Sequence, residues 1–276
     1  MQRAIVITGA SSGIGADAAE ALARKGFIVF AGVRTEAAAA KAAAAHENMR
    51  PLRLDVTDHD SIKAAAASVA ASGVPLFGLV NNAGIAVGGP LEFLPLDQLR
   101  RQFEVNVFGA VAVSQAFLPH LREQRGRLVF VGSVSGRIAV PTIGPYGASK
   151  FALRAIADVL RIELAPAGIS VSLVEPGSVK TPIWQKARDS RDDLVRALGP
   201  QAMTHYRAPL ERMFRRTEQV ERDAMPVERV TSAIVHALTA RRPKTNYLVG
   251  SFAASIVGAL PTTWRDRLVF GVRRLH

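Results

Sequence analysis

The sequence predicts an α/β protein built on one doubly wound parallel sheet with helices on both faces. Three observations lead there. Short runs rich in Ile, Val, Phe and Leu alternate with longer helical patterns, and that alternation produces parallel strands joined by crossover helices. Most of the runs are apolar almost throughout, as strands covered on both faces are. No internal repeat and no linker divides the 276 residues, a length that a large single α/β domain reaches.

The expected strands follow in order. They are AIVIT from Ala4, FIVFAGV from Phe27, RPLRL from Arg50, FGLVN from Phe77, RLVFVG from Arg127, SVSLVE from Ser170 and NYLVG from Asn246. Between them helical patterns cover residues 13–25, 35–46, 58–72, 96–122, 146–165 and 227–240. Residues 182–225 break the rhythm as a long mixed insertion, the usual form of a lid or binding loop. One domain is expected over residues 1–250, lid included, followed by a separate tail over 251–276.

Composition narrows the function classes. There is no cysteine, so disulfides, thiol nucleophiles and thiolate metal sites are excluded, and no other metal set is expected. The start, MQRAIVIT, lacks a signal-peptide pattern and reads as a strand. No apolar run reaches the ~18 residues of a membrane-spanning helix. A cytoplasmic location is expected. The net charge is +12. Half of it lies after residue 240, where seven Arg and Lys residues face only Asp266. No aromatic-interleaved basic stripe accompanies that charge, so no nucleic-acid partner is expected. The excess of Arg over Lys and the alanine runs match the bias of a GC-rich genome.

The first strand runs into TGASSGIG, residues 8–15. A glycine-rich turn between a first strand and a first helix holds pyrophosphate against helix N-terminal N–H groups. Gly9, Ser11, Ser12, Gly13, Ile14 and Gly15 are therefore cofactor candidates. The spacing differs from the common GxGxxG. An NAD site places an acid at the end of the second strand, but here Val33 stands there, followed by Arg34. Valine cannot accept from a ribose hydroxyl, whereas arginine binds a 2′-phosphate bidentately. NADP(H) is the expected cofactor. Asp55 and Val56, in LDVTD, end the third strand, with Asp55 placed to accept from an adenine amino group. Asn82, Ala83 and Gly84, in VNNAG, follow the fourth, where glycine lets backbone approach a ligand.

PYGASK, residues 145–150, puts Tyr146 and Lys150 on one helical face. A free phenol has a pKa of about 10, and a neighbouring ammonium favours the phenolate. Such a pair suits Tyr146 to act as general acid or base.

TGASSGIG, DV, NNAG, the Asn of VNVFG, the Ser of VGSVSG, YGASK and PGSVKT occur in order over roughly residues 3–181. As a set they resemble the short-chain dehydrogenase/reductase family, with a moderate likeness to its hydroxysteroid and retinol dehydrogenase branch. The resemblance implies a seven-stranded Rossmann domain and a catalytic tetrad of Asn106, Ser133, Tyr146 and Lys150. Ser133 would hold the substrate oxygen, with Ser135 as its rival. Lys150 would also hold the nicotinamide ribose, and Asn106 would order a water. Pro176 and Gly177 would turn the chain over the nicotinamide. Val179 and Thr181 would contact it, with Ser178 as a lesser candidate. A non-catalytic NADP(H)-sensing protein on the same fold is the alternative; its mark would be loss of Tyr, Lys or Ser, and none is lost.

Substrate choice falls to the divergent parts. Trp184, Met203, Tyr206, Leu210, Met213 and Phe214 give the lid an adaptable apolar wall. Residues 88–94 and 138–145 complete a mouth with little polar chemistry. A small lipophilic substrate is expected: a steroid, a retinoid, or a long-chain aldehyde or ketone. The tail mixes apolar residues, Trp264 and arginines, the pattern of a segment that contacts an anionic membrane surface. Family members often pair through the helices holding Asn106 and Tyr146, which implies a homodimer or homotetramer.

Overall fold

A computed structural model describes residues 2–250, 257–258 and 260–270. Its elements begin β1 (Ala4–Ile7), α1 (Gly13–Arg24), β2 (Ile28–Val33), α2 (Glu36–Ala45), β3 (Met49–Arg53), α3 (His59–Ala71) and β4 (Leu76–Asn81). They continue with α4 (Leu96–Phe103), α5 (Gly109–Glu123), β5 (Arg127–Val131), α6 (Gly144–Glu163) and β6 (Ser170–Pro176). The lid helices α7 (Ile183–Asp189) and α8 (Arg191–Arg222), then α9 (Glu228–Thr239), β7 (Asn246–Val249) and α10 (Thr262–Phe270), complete the order.

The seven strands form one sheet in the order β3-β2-β1-β4-β5-β6-β7, and every pairing is parallel. This is the doubly wound Rossmann arrangement. The winding direction reverses between β1 and β4, which opens a crevice at the carboxyl ends of the strands. The pleat sorts side chains into two cores. Ile5, Ile7, Val29 and Val80 meet α1 and α9 on one face. Ala4, Val6, Phe30 and Leu79 meet α3, α5 and α6 on the other.

The helical run over residues 96–122 is not one helix. A π-turn at Glu104–Phe108 separates α4 from α5. Side-chain periodicity alone does not reveal the interruption, because both halves stay helical on the same side of the sheet.

The lid has its own small core. Leu198, Ala202 and Leu210 are buried against Leu94. α8 breaks at Gly199, whose φ of 77° is non-helical, and Pro200 restarts it. At the lid's base Val179 and Met225 form an isolated parallel bridge. Lys180 N donates to Met225 O and Met225 N donates to Ser178 O, both at 2.9 Å.

Two surfaces bear on assembly. The π-turn leaves Phe108 exposed and α6 leaves Phe151, Val159 and Ile162 exposed, and a groove lined by Val111 and Leu118 of α5 and Ile156 and Leu160 of α6 runs beside Val159. Within the tail, Trp264 is exposed. Residues 251–256, 259 and 271–276 of the expected membrane-contacting segment, Arg273 and Arg274 among them, lie outside the described residues. Among the described residues no helix is long and apolar enough to cross a membrane.

Candidate active site

The site is built from the ends of β1, β2, β4, β5 and β6 at the crevice. Its foundation is a latch between the first and fourth strands. The Asn82 side-chain amide donates to Thr8 O at 2.9 Å and Gly9 O at 3.1 Å. The Thr8 hydroxyl accepts from the N–H groups of Asn82 and Ala83, at 3.0 and 2.9 Å. The glycine turn then folds back on itself. Gly9 and Gly13 take φ of 65° and 58°, the left-handed region that favours glycine. A Cβ on Gly15 would lie 2.4 Å from Gly9 O. Ser12 is the α1 N-cap, yet its side chain makes no capping bond. Among the described residues the first-turn N–H groups thus meet no side-chain acceptor, as an anion site requires. The close backbone approach and the open helix end fit a dinucleotide pyrophosphate.

At the far end of that groove Arg34 is exposed just beyond buried Val33. Asp55 lies within its field. Burial pushes the Asp55 carboxyl up, but bonds from Thr57 and the Arg34 charge outweigh it and hold the carboxyl below its usual range. The Thr57 N–H and hydroxyl reach Asp55 Oδ1 at 3.0 and 2.8 Å. Asp55 is thereby kept ionised, as an acceptor for an amino group must be. Val56 packs beneath α5, where a Cβ on Gly109 would meet Val56 O at 2.7 Å.

Ser133, Tyr146, Lys150 and Asn106 converge between β4, β5 and α6. Ser133 follows β5 and caps a short 3-10 turn, its hydroxyl accepting from Ser135 N at 3.1 Å. Ser133, rather than Ser135, is the hydroxyl that acts on the Tyr146 phenol. Burial raises the phenol above its ordinary value, and the Ser133 bond pulls back only part of that rise. Lys150 Nζ sits 5.7 Å from the Tyr146 ring centroid and donates to Val131 O at 2.9 Å. Burial lowers the lysine to about 8. The sequence argument has Lys150 drawing the phenol down. In the structure burial of the phenol sets the direction, with Ser133 opposing it, so Tyr146 stays protonated near neutral pH.

Asn106 is buried in the π-turn. It clamps the segment after Gly84, accepting from Ile85 N at 2.9 Å and donating to Ile85 O at 3.0 Å. It also donates to Ser149 Oγ at 3.1 Å. A Cβ on Gly84 would meet Asn106 Oδ1 at 3.3 Å. Sequence reasoning missed Gln102, one helical turn earlier. Fully buried, it donates to Ile85 O at 2.7 Å and accepts from Val87 N at 2.6 Å. A polar residue spaced i, i−4 from Asn106 was the available signal. Ser149 was also missed; it donates back to Tyr146 O at 2.7 Å.

Pro176 ends β6, and Gly177 N bonds Val249 O at 2.9 Å. The Val179–Met225 bridge uses the peptide groups flanking Val179, so its own N–H and C=O point the other way. There Val179 O accepts from Trp184 Nε1 at 2.7 Å. A Cβ on Gly13 would lie 3.2 Å from Thr181 Cβ, which brings the PGSVKT segment against the glycine turn. Ser178 is tied to Met225 through its backbone carbonyl. The expected apolar wall is partly spent on packing. Leu210 is fully buried in the lid core. Tyr206 turns outward, its hydroxyl 2.8 Å from Glu92. Phe214 lies under Arg191 at 4.2 Å. Met213 does face the mouth, where a Cβ on Gly88 would meet its sulfur at 3.4 Å.

This fold and crevice define a dinucleotide-dependent oxidoreductase class, and comparison with known proteins places the chain within it. The sequence profile described as short chain dehydrogenase matches residues 3–192. A 3-amino-tetrahydro-pyrrolizinone reductase of Xenorhabdus hominickii is 37% identical over 257 residues, covering 91% of this chain and 88% of that protein. Mouse retinol dehydrogenase 5 is 39% identical, covering 89% and 80%. A Burkholderia cenocepacia short chain dehydrogenase solved in complex with NADP superposes with a TM-score of 0.75 at 26% identity, covering 98% and 99%. The protein belongs to the short-chain dehydrogenase/reductase family.

The lowered Lys150 has a consequence for stability. Between its folded value of about 8 and the usual unfolded value of about 10.4, the unfolded chain binds the proton and the folded one does not. Stability from this group therefore rises with pH across that window, by up to ~3 kcal/mol. The stability of the wild type minus that of Lys150→Met, from denaturant unfolding, is expected to climb between pH 8 and 10.5. A flat difference would contradict the assignment.

Proposed function

We propose that the protein is an NADP(H)-dependent oxidoreductase that interconverts a lipophilic alcohol and its carbonyl, with Tyr146 as acid and base. The observation that carries this reading is the convergence of Ser133 and Tyr146 beside buried Lys150, whose Nζ lies 5.7 Å from the Tyr146 ring centroid. In reduction the nicotinamide supplies the hydride. Ser133 holds the substrate oxygen and stabilises the charge developing there. Tyr146 gives that oxygen its proton, and in oxidation takes it back. Lys150 favours the phenolate left behind. Asn106 and Gln102 keep the Ile85–Val87 segment fixed against α6 while this happens.

NADP(H) preference is supported by exposed Arg34, by the absence of an acid at Val33, and by the NADP complex of the Burkholderia relative. The apolar mouth around Met213, with the likeness to a retinol dehydrogenase, supports a lipophilic substrate. A reductase of a nitrogen heterocycle is about as similar, so the substrate panel must extend beyond retinoids. Assembly as a homodimer or homotetramer through the exposed α5–α6 face fits its apolar character.

Four outcomes are expected. Purified protein oxidises NADPH with at least one of a panel of steroid ketones, retinal, long-chain aldehydes and cyclic amino ketones, followed by NADPH absorbance. Tyr146→Phe lowers that turnover at least ~100-fold while NADPH binding, read by fluorescence, persists. Unchanged turnover in the variant would remove Tyr146 from the chemistry. Arg34→Ala cuts the preference for NADPH over NADH, in kcat/KM, by ~10-fold or more, as loss of a charge-assisted phosphate contact should; unaltered selectivity rejects Arg34 as the discriminator. In sedimentation, Val159→Glu shifts the wild-type oligomer toward monomer, and an unaltered profile excludes this face as the contact.

A further inference from the structure

Glu175 lies in a strand that is otherwise almost wholly apolar, and its side chain is 1% exposed. Two arginines close on it from different elements. Arg137 Nε lies 2.9 Å from both carboxylate oxygens, and Arg137 Nη2 bonds Oε2. Arg154 Nη1 reaches Oε1 at 2.8 Å. The arginine side chains are 18% and 29% exposed, so the cluster is mostly desolvated.

The three residues stand immediately behind the reacting groups. Arg137 ends the short turn that Ser133 begins. Arg154 is one helical turn beyond Lys150 on α6. Glu175 precedes Pro176–Gly177, the cover over the groove. The packing between these parts is tight. A Cβ on Gly132 would lie 3.4 Å from Glu175 Cγ, and one on Gly136 would lie 2.8 Å from Lys150 O. The turn carrying Ser133 is thus pressed between the Glu175 side chain and the α6 backbone at Lys150.

One buried carboxylate held by two largely covered guanidiniums is a poor means of adding stability. Well-packed apolar residues of similar volume do as well or better, because desolvation offsets the attraction. What ionic bonds of fixed direction supply is geometry. A misplacement of about 1 Å at a reacting group costs on the order of 100-fold in rate. We propose that Glu175 is a positioning residue, bridging Arg137 and Arg154 so that Ser133 and Lys150 are held in register with Tyr146. It touches neither substrate nor cofactor. The inference rests on the reading of this site as a carbonyl reductase.

The test uses the full chain, NADPH, and a carbonyl from the panel above that the wild type reduces. In Glu175→Gln the amide cannot serve both guanidiniums as a charged acceptor. Its kcat is expected to fall at least ~10-fold, with KM for the carbonyl and NADPH affinity each within about threefold. Glu175→Asp, which keeps the charge, recovers part of the loss. A combined Arg137→Met, Arg154→Met, Glu175→Leu variant is expected to melt near the wild-type temperature and still show the low kcat. Retention of kcat within twofold in Glu175→Gln overturns the proposal. So does a loss of kcat that tracks loss of NADPH binding, or one that Asp does not relieve, since either marks a merely structural role. If the triple variant does not fold, the Gln and Asp pair decides alone. Absence of wild-type turnover sinks the underlying reading and this inference with it. An active wild type with an equally active Glu175→Gln sinks only the inference.

Discussion

Everything at the working edge of the sheet depends on how closely two stretches of backbone approach. Residues 9 and 15 come so near that no side chain fits between them. The Asn82 amide fills the remaining space and bonds both Thr8 and Gly9. This one side chain satisfies carbonyls that the end of β1 would otherwise leave unpaired, and it fixes β4 against β1 where the winding reverses. The glycine turn, the amides at the start of α1 and the segment after Gly84 all take their positions from it. Asn106 and Gln102 repeat the device one layer out, using side-chain amides to hold backbone that has left the sheet. The crevice is thus walled by extended chain without sheet partners, stabilised by buried amides.

The electrostatics of the site follow from the same crowding. Lys150 is buried because the Ser133 turn and α6 pack without space for water, and that burial lowers its hold on a proton. Tyr146 moves in the opposite direction for the same reason. In water an amine and a phenol lie within about half a unit of each other; burial drives this pair apart, so that Lys150 releases its proton more readily and Tyr146 keeps its own. Asp55, at the outer end of the groove, shows the contrary balance, since hydroxyl, amide and guanidinium donors outweigh its desolvation.

Much of this was legible beforehand. Most strands announced themselves as short apolar runs, and the motif order located the candidate site residues along one edge. What escaped were features with no local signature. The π-turn around Asn106 lies inside a continuous helical pattern, and its widened turn shows only in the backbone hydrogen bonds. The lid residues read as a free apolar wall, yet an insertion of that length needs a core of its own, and Leu210 went into it. The Tyr146–Lys150 spacing spoke for attraction between the two heads, but sequence carries no measure of burial, and burial set the sign. Glu175 was visible as one acid in an apolar strand. Its partners, 38 and 21 residues away in the chain, were not.

The bridge between Val179 and Met225 bears on how such a protein diversifies. Two backbone hydrogen bonds bring together the points where the chain leaves and rejoins the main body. Whatever lies between them begins and ends at one place. The entropy of closing a loop grows only slowly with its length, so residues 180–224 can be lengthened, shortened or exchanged with little effect on the sheet. Evolution can treat this segment as a cassette, with new substrate mouths sampled over a reaction centre whose strands, glycine turn and buried amides stay unaltered.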